Sequence, residues 1–354
     1  MNTFLKTIPI LIIFIFLYSC QQKESFFAKI IKENEGKDIK LRNSNDTTIQ
    51  YIYLETNPDA LIGAYNKILM NDSILCIVDK EKTNSIYIYN HNGKFKSKIQ
   101  SIGRGAGEYV FLEDANLKQD TILIFDRSLQ KMLYYNSNGG FVKEKIFSSY
   151  HSIPFTITEE NYLAFYMAAP SHSKENSEVI VTDLEGEILT QFIPRPTLKK
   201  EQGRFHIPFY FATNQKGTFF IPAFEDKIYR LKANQIEPIF DFEFKNQMYS
   251  FSQISKAPLS RHTNKYLYFS DFHMADNGIF ICNNSINKQF VAICGNIYSQ
   301  TLHTWQGDVN VIGTYKDYFI TYTLPAWEPH LFPNSNISDN AAIILINSNI
   351  LRMK

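Results

Sequence analysis

The feature that most constrains this chain is a strand–turn–strand unit that recurs along nearly its whole length. Ile74-Leu-Cys-Ile-Val-Asp79 is followed by Ser85-Ile-Tyr-Ile-Tyr-Asn90, a His91-Asn92-Gly93 turn and Lys94-Phe95. Thr121-Ile-Leu-Ile-Phe-Asp126 is followed by Lys131-Met-Leu-Tyr-Tyr-Asn136, a turn ending in Gly139-Gly140, and Phe141-Val142. Further copies begin near residues 162, 218, 278 and 318, so the spacing is 40 to 60 residues. Apolar runs joined by Asn-Gly or Glu-Gly turns are the strongest short hairpin signal. One small antiparallel sheet cannot bury both of its faces, and sheets stacked face to face around an axis can. Repeats of this length therefore indicate an all-β, six-bladed β-propeller. The chain is rich in the residues such pleated surfaces favour, with 29 Phe and 21 Tyr. The last repeat lacks a full outer hairpin, while Thr47–Leu54 reads as a strand ahead of the first. The expectation is a ring closed by this N-terminal strand, which completes the last blade.

The N-terminus has its own logic. Thr7 to Ser19 is an apolar run of 13 residues after a single lysine, too short to span a bilayer. It suits a signal peptide over residues 1–19. Leu17-Tyr18-Ser19-Cys20 resembles the lipobox of bacterial lipoproteins, and the resemblance implies cleavage before Cys20 and a lipid on its thiol. Residues 20–46 are polar and lysine-rich, and read as a lipid-anchored tether and N-terminal segment ahead of a propeller domain over 47–354. Gln21 is not the Asp that resembles an inner-membrane retention signal, which implies the outer membrane, periplasmic or surface-facing. Loss of residues 1–19 takes the formal charge from +1 to zero, leaving no electrostatic footprint for nucleic acid. Cys76, Cys282 and Cys294 each sit in apolar runs and read as buried free thiols.

Ser101-Ile-Gly-Arg-Gly-Ala-Gly-Glu-Tyr109 invites comparison with a phosphate cradle. The spacing is G-x-G-x-G, no helix follows, and no Gly-Lys-Ser/Thr closes it, so neither dinucleotide nor P-loop chemistry is supported. Gly103, Gly105 and Gly107 instead read as a structural turn between blades, with positive φ expected at several of them. Glu108 is placed to accept bonds from the turn amides.

Several motifs resemble a family of six-bladed propeller lipoproteins of Gram-negative bacteria, related to NHL and TolB-like propellers. They are I-x-I-Y-N-x-x-G-K-F (86–95), G-x-G-x-G-E-Y (103–109), D-K-I-Y-R-L (226–231) and N-A-A-I-I-L-I (340–346). The resemblance implies the fold and the address. It carries no catalytic residues across, and Ala106 stands where the family usually has Pro.

Blade-to-blade connections gather on one face of a propeller, and that face is where ligands usually bind. Arg104, Glu108, Tyr109, His151, Arg204, His206, Arg261, His262 and Trp305 fall in such connections and are the candidate binding set at a channel mouth. No nucleophile elbow is present and Asp271–Asp276 lacks metal-ligand spacing, so no catalytic residue, metal or cofactor is expected. The expected function is a non-catalytic binding or scaffold module for a protein partner or glycan, held to a membrane by lipid on Cys20. The alternative is a lactonase- or lyase-like enzyme working at the channel mouth.

Overall fold

In a computed structural model the described residues are 29–35, 39–40, 48–147, 154–166, 177–194, 211–222, 225, 227–243, 271–283, 289–293, 296–299, 302–304, 307–333, 336 and 339–352. Their regular structure is β-strand with short 3₁₀ turns. Three strands lie ahead of the first repeat: β1 (Lys29–Glu35), β2 (Ile39–Lys40) and β3 (Ile49–Tyr53). The first meander is β4 (Lys67–Met70), β5 (Leu75–Asp79), β6 (Ser85–Tyr89) and β7 (Phe95–Ile99). The second is β8 (Asp114–Lys118), β9 (Thr121–Asp126), β10 (Lys131–Asn136) and β11 (Phe141–Ile146). The third is β12 (Phe155–Ile157), β13 (Leu163–Tyr166), β14 (Ser177–Thr182) and β15 (Ile188–Pro194). The fourth is β16 (Phe211–Asn214), β17 (Gly217–Phe220), β18 (Lys227–Lys232) and β19 (Gln235–Glu243). The fifth is β20 (His273–Met274), β21 (Phe280–Asn283), β22 (Gln289–Ile293) and β23 (Asn296–Ser299). After β24 (Leu302–Thr304) and β25 (Gly307–Asp308), which form a small sheet with β2, come β26 (Gly313–Tyr315), β27 (Tyr318–Thr323) and β28 (Ala342–Asn347).

The architecture is an all-β propeller. The middle strands of a meander are buried on both faces, which is why they read as continuous apolar runs. Every residue of β5 and β6 is buried. The outer strand β11 is mostly exposed and carries Lys143 and Lys145. Asn90 closes the first meander's outer turn, its Oδ1 accepting from the Lys94 amide at 2.9 Å while Gly93 takes φ +81°. Asn136 and Asp183 do the same in the next two meanders. Asp79 and Asp126, both fully buried at the ends of β5 and β9, each hold two loops. Asp79 accepts from Gly63 and Ala64 on one side and from Lys82 and Thr83 on the other.

One feature departs from the sequence reading. Six separate sheets were expected, and the described strands instead form five sheets of four or more strands. The cause is β1, which lies in the segment read as tether. It pairs in parallel with β19 through residues 29–32 and with β23 through residues 33–35, fusing the fourth and fifth meanders into one nine-stranded sheet. The last sheet follows the sequence reading, in which Thr47–Leu54 completes the last repeat. Its order is β26-β27-β28-β3, so its outer strand comes from the N-terminal side of the chain, with Ile52 opposite Ile343.

The first strand of each of the five meanders, together with β26, lies innermost and bonds to its neighbours. Lys67 Nζ donates to Asp114 Oδ1 at 2.9 Å, Asn116 Nδ2 to Phe155 O at 2.6 Å, and Thr156 Oγ1 meets Thr213 Oγ1 at 3.0 Å. Asn214 Nδ2 donates to Ala275 O at 3.1 Å, Asp276 N to Lys316 O at 2.9 Å, and Ile68 N to Ile312 O at 3.0 Å.

Candidate functional site: the central channel

Because the inner strands offer only one edge each to sheet pairing, their other edge faces a shared axial space. This cavity has a volume of about 820 Å³ and takes residues from β4, β8, β12, β16, β20 and β26. At one end Lys67 also donates to Ala115 O at 2.8 Å, and Asp114 Oδ2 accepts from the Phe155 amide at 3.1 Å. His273 lines the same space and is buried. Burial first, and the nearby Lys67 charge second, push its pKa down to about 3, against a backbone hydrogen bond at Val311 that raises it. It is therefore a neutral imidazole near pH 7.

The wall is largely uncharged. Asn116, Thr156 and Thr213 carry amide and hydroxyl groups into it. The far rim holds Asp72, Lys118, Glu159, Asp276 and Lys316. Asp72 accepts from Lys316 and from the Tyr315 hydroxyl, both at 2.6 Å. These contacts hold the Asp72 carboxyl below its usual value and the Lys316 ammonium above it. Glu159 Oε2 accepts from Thr218 Oγ1 at 2.8 Å, and Oε1 lies 3.7 Å from Arg230 Nη2. Asp276 Oδ1 accepts from the Gln215 amide at 3.4 Å. Among the described residues no three His, Cys, Asp or Glu side chains gather where they could hold a metal.

The glycine stretch forms a corner outside this cavity. Gly103 N donates to Tyr109 O at 3.0 Å, and Tyr109 N to Ser101 O at 2.9 Å. Glu108 accepts from the Gly105 amide at 2.7 Å. Glu144 accepts from the Gly107 amide at 2.9 Å, while Lys131 donates to Gly105 O at 2.9 Å. The turn amides thus find carboxylates of the chain itself. Of the three glycines only Gly107 has a positive φ, at +71°, so the expectation of several is corrected. A Cβ on Gly103 would meet the Glu108 carboxylate, so that flexible side chain would have to swing away from the turn.

The candidate residues separate. Arg104 is exposed, Glu108 is committed to the turn, and neither lines the cavity. Tyr109, read as a channel-mouth ring, is fully buried in the core between the first two meanders. Its hydroxyl donates to Asn84 O at 2.8 Å and lies 3.2 Å from Ile99 O, which corrects that placement. His151, Arg204, His206, Arg261, His262 and Trp305 lie outside the described residues, as do Cys20 and Cys294. Cys76 and Cys282 are buried free thiols. The channel wall is not legible from the repeat, because the continuous apolar strands dominate its pattern. The signal was the shorter polar-bearing run directly ahead of each, such as Asp114-Ala-Asn-Leu-Lys118.

A family model described as a domain of unknown function (DUF4934) matches residues 27–350. No curated protein matches the chain. Among solved structures, a protein described as exported, from Bacteroides fragilis NCTC 9343, superimposes with a TM-score of 0.71 at 18% identity, covering 90% of this chain and 99% of its own. A DUF4221 family member from Bacteroides vulgatus ATCC 8482 gives 0.56 at 9% identity, over 84% of this chain and 97% of its own. Virginiamycin B lyase from Staphylococcus aureus gives 0.44 at 11% identity, over 84% and 98%. At such identities the likeness concerns the fold alone.

Proposed function

The chain belongs to the DUF4934 family, and we propose that it is an envelope lipoprotein whose propeller is a non-catalytic binding or scaffold module for a protein partner or a glycan. One observation carries this reading. The three carboxylates that line the channel, Asp72, Glu159 and Asp276, are each engaged by a lysine, an arginine, a hydroxyl or an amide of the chain. General acid–base work needs such groups poised toward a substrate at a useful pKa. The buried imidazole of His273 is not so poised, since its pKa lies far below neutrality. A wall of amides and hydroxyls around an 820 Å³ space suits recognition.

In this reading the propeller has six blades, the last completed by β3. The inner-strand bonds from Lys67–Asp114 through to Ile68–Ile312 support that count. Export through residues 1–19 and a lipid on Cys20 hold the domain at the outer membrane. The exported neighbour from Bacteroides fragilis is in keeping with export. The test has two arms. Labelled palmitate should enter the wild-type chain and not Cys20→Ala. The purified protein should melt higher with an oligosaccharide or peptide from a panel, since a ligand of the folded state stabilises it by mass action. Turnover of a chromogenic lactone at enzymatic rates would sink the non-catalytic reading.

A further inference from the structure

We propose that the channel holds a site for a small hydroxylated carboxylate, with Lys118 receiving the carboxylate and the Thr156–Thr213 wall receiving hydroxyls. This inference rests on the binding-module reading and names its ligand class.

The cation comes first. Three lysines line the channel. Lys67 is paired with Asp114 and Lys316 with Asp72. Lys118 is different. Its ammonium donates to the Thr158 carbonyl at 2.9 Å, and no carboxylate stands within ion-pair distance among the described residues. An ammonium has three donors, so two remain for a ligand. Glu159, the nearest acid in its field, is turned to Thr218 and Arg230. Burial lowers the Lys118 pKa, as expected of a cation lacking a close counter-charge.

The wall has a direction, set from the rim by Glu159. Paired with Arg230, this carboxylate only accepts, so Thr218 gives it its proton at 2.8 Å. Thr218 then has none left for Thr213, 3.3 Å away, and Thr213 must be the donor in that contact. By the same count Thr156 donates to Thr213 across their 3.0 Å contact. The Thr156 and Thr213 hydroxyls are thus left with lone pairs only. An acceptor wall repels a carboxylate and welcomes O–H donors. Thr158 directly follows β12, two residues on from Thr156 and about 7 Å along the extended chain. The cationic end and the accepting wall are thus a short molecule apart. A ligand with a carboxylate at one end and hydroxyls at the other matches both.

The probe is D-glucuronate, with D-glucose and succinate as controls, titrated by calorimetry into the full chain in detergent. Glucuronate should bind at least tenfold more tightly than either control. Lys118→Met should weaken glucuronate at least tenfold with little change in melting temperature. Thr213→Val should weaken glucuronate while leaving succinate unchanged. No heat with glucuronate, equal affinity for glucose, or unchanged affinity in Lys118→Met would each overturn the proposal. If glucuronate is silent while an oligosaccharide or peptide raises the melting temperature, this inference falls and the module reading stands. If glucuronate binds through Lys118 and is consumed, the ligand class stands and the non-catalytic reading falls.

Discussion

Lys67 and Asp114 form an ion pair of 2.9 Å across the seam between two inner strands, with side-chain exposures of only 16% and 9%. Each partner also serves the backbone, Lys67 at Ala115 O and Asp114 at the Phe155 amide. Removing one partner leaves the other charge buried and uncompensated. Asp114→Ala should lower the unfolding free energy by about 3–5 kcal/mol in urea titrations. The double variant Lys67→Met/Asp114→Leu should lose less than the sum of the single changes. Additive losses would show that the pair is not coupled.

The corner at 103–109 places its strain at one glycine. Gly107 has φ +71°, and a Cβ there would meet the Phe141 ring at 2.9 Å. Gly105 is exposed, and its Cβ would meet only the tip of the Glu108 side chain, at 3.0 Å. Gly107→Ala should cost about 1–2 kcal/mol or more for the left-handed backbone alone. Gly105→Ala should stay within about 0.5 kcal/mol. Thermal melts of the two variants side by side would reverse this account if Gly105→Ala were the more damaging.

β3 completes the last sheet, burying its Ile49 and Ile52 and, just after it, Leu54. Each buried aliphatic side chain of this size contributes about 1.5–3 kcal/mol. Both chains lack β1, so a chain starting at residue 56 should melt lower and less cooperatively than one starting at residue 48, which keeps β3. Calorimetry on both would decide it, and a sharp transition in the shorter chain would refute the role given to β3.

His273 predicts a pH dependence with a definite sign. Its folded pKa is near 3, against 6.5 for the free side chain. Below about pH 6.5 the unfolded chain takes up a proton that the folded chain refuses, so stability falls as pH drops toward 3. The slope from this one group approaches about 1.4 kcal/mol per pH unit. His273→Gln should flatten the stability curve between pH 6 and 4. A curve parallel to wild type would exclude His273 as its source.

The sequence spoke clearly where burial is two-sided. Ile86–Tyr89 and Ile122–Phe125 could only be core strands, and Asn90, Asn136 and Asp183 marked their outer turns through local side-chain bonds. β3 is legible for a different reason, a run of β-branched and aromatic residues in which only Ile49 and Ile52 are buried. β1 was not, because Lys29-Ile-Ile-Lys-Glu-Asn-Glu35 is charged and its pairing is made by backbone groups with strands more than 200 residues away. Tyr109 was misread because its position in a connecting loop suggested exposure, whereas its ring completes the core and its hydroxyl bonds to Asn84 O. The channel wall escaped notice because Asn116, Thr156 and Thr213 become neighbours only when their strands stand side by side around an axis.

β1 lies between β19 and β23 and runs in the same direction as both. A pull on the chain ahead of Lys29 therefore acts along the strand axis. Its bonds to the two sheets must yield together instead of opening one after another, so the load spreads at once over the whole width of nine strands. An N-terminal segment that would otherwise be a slack leash becomes a stiff mechanical mount.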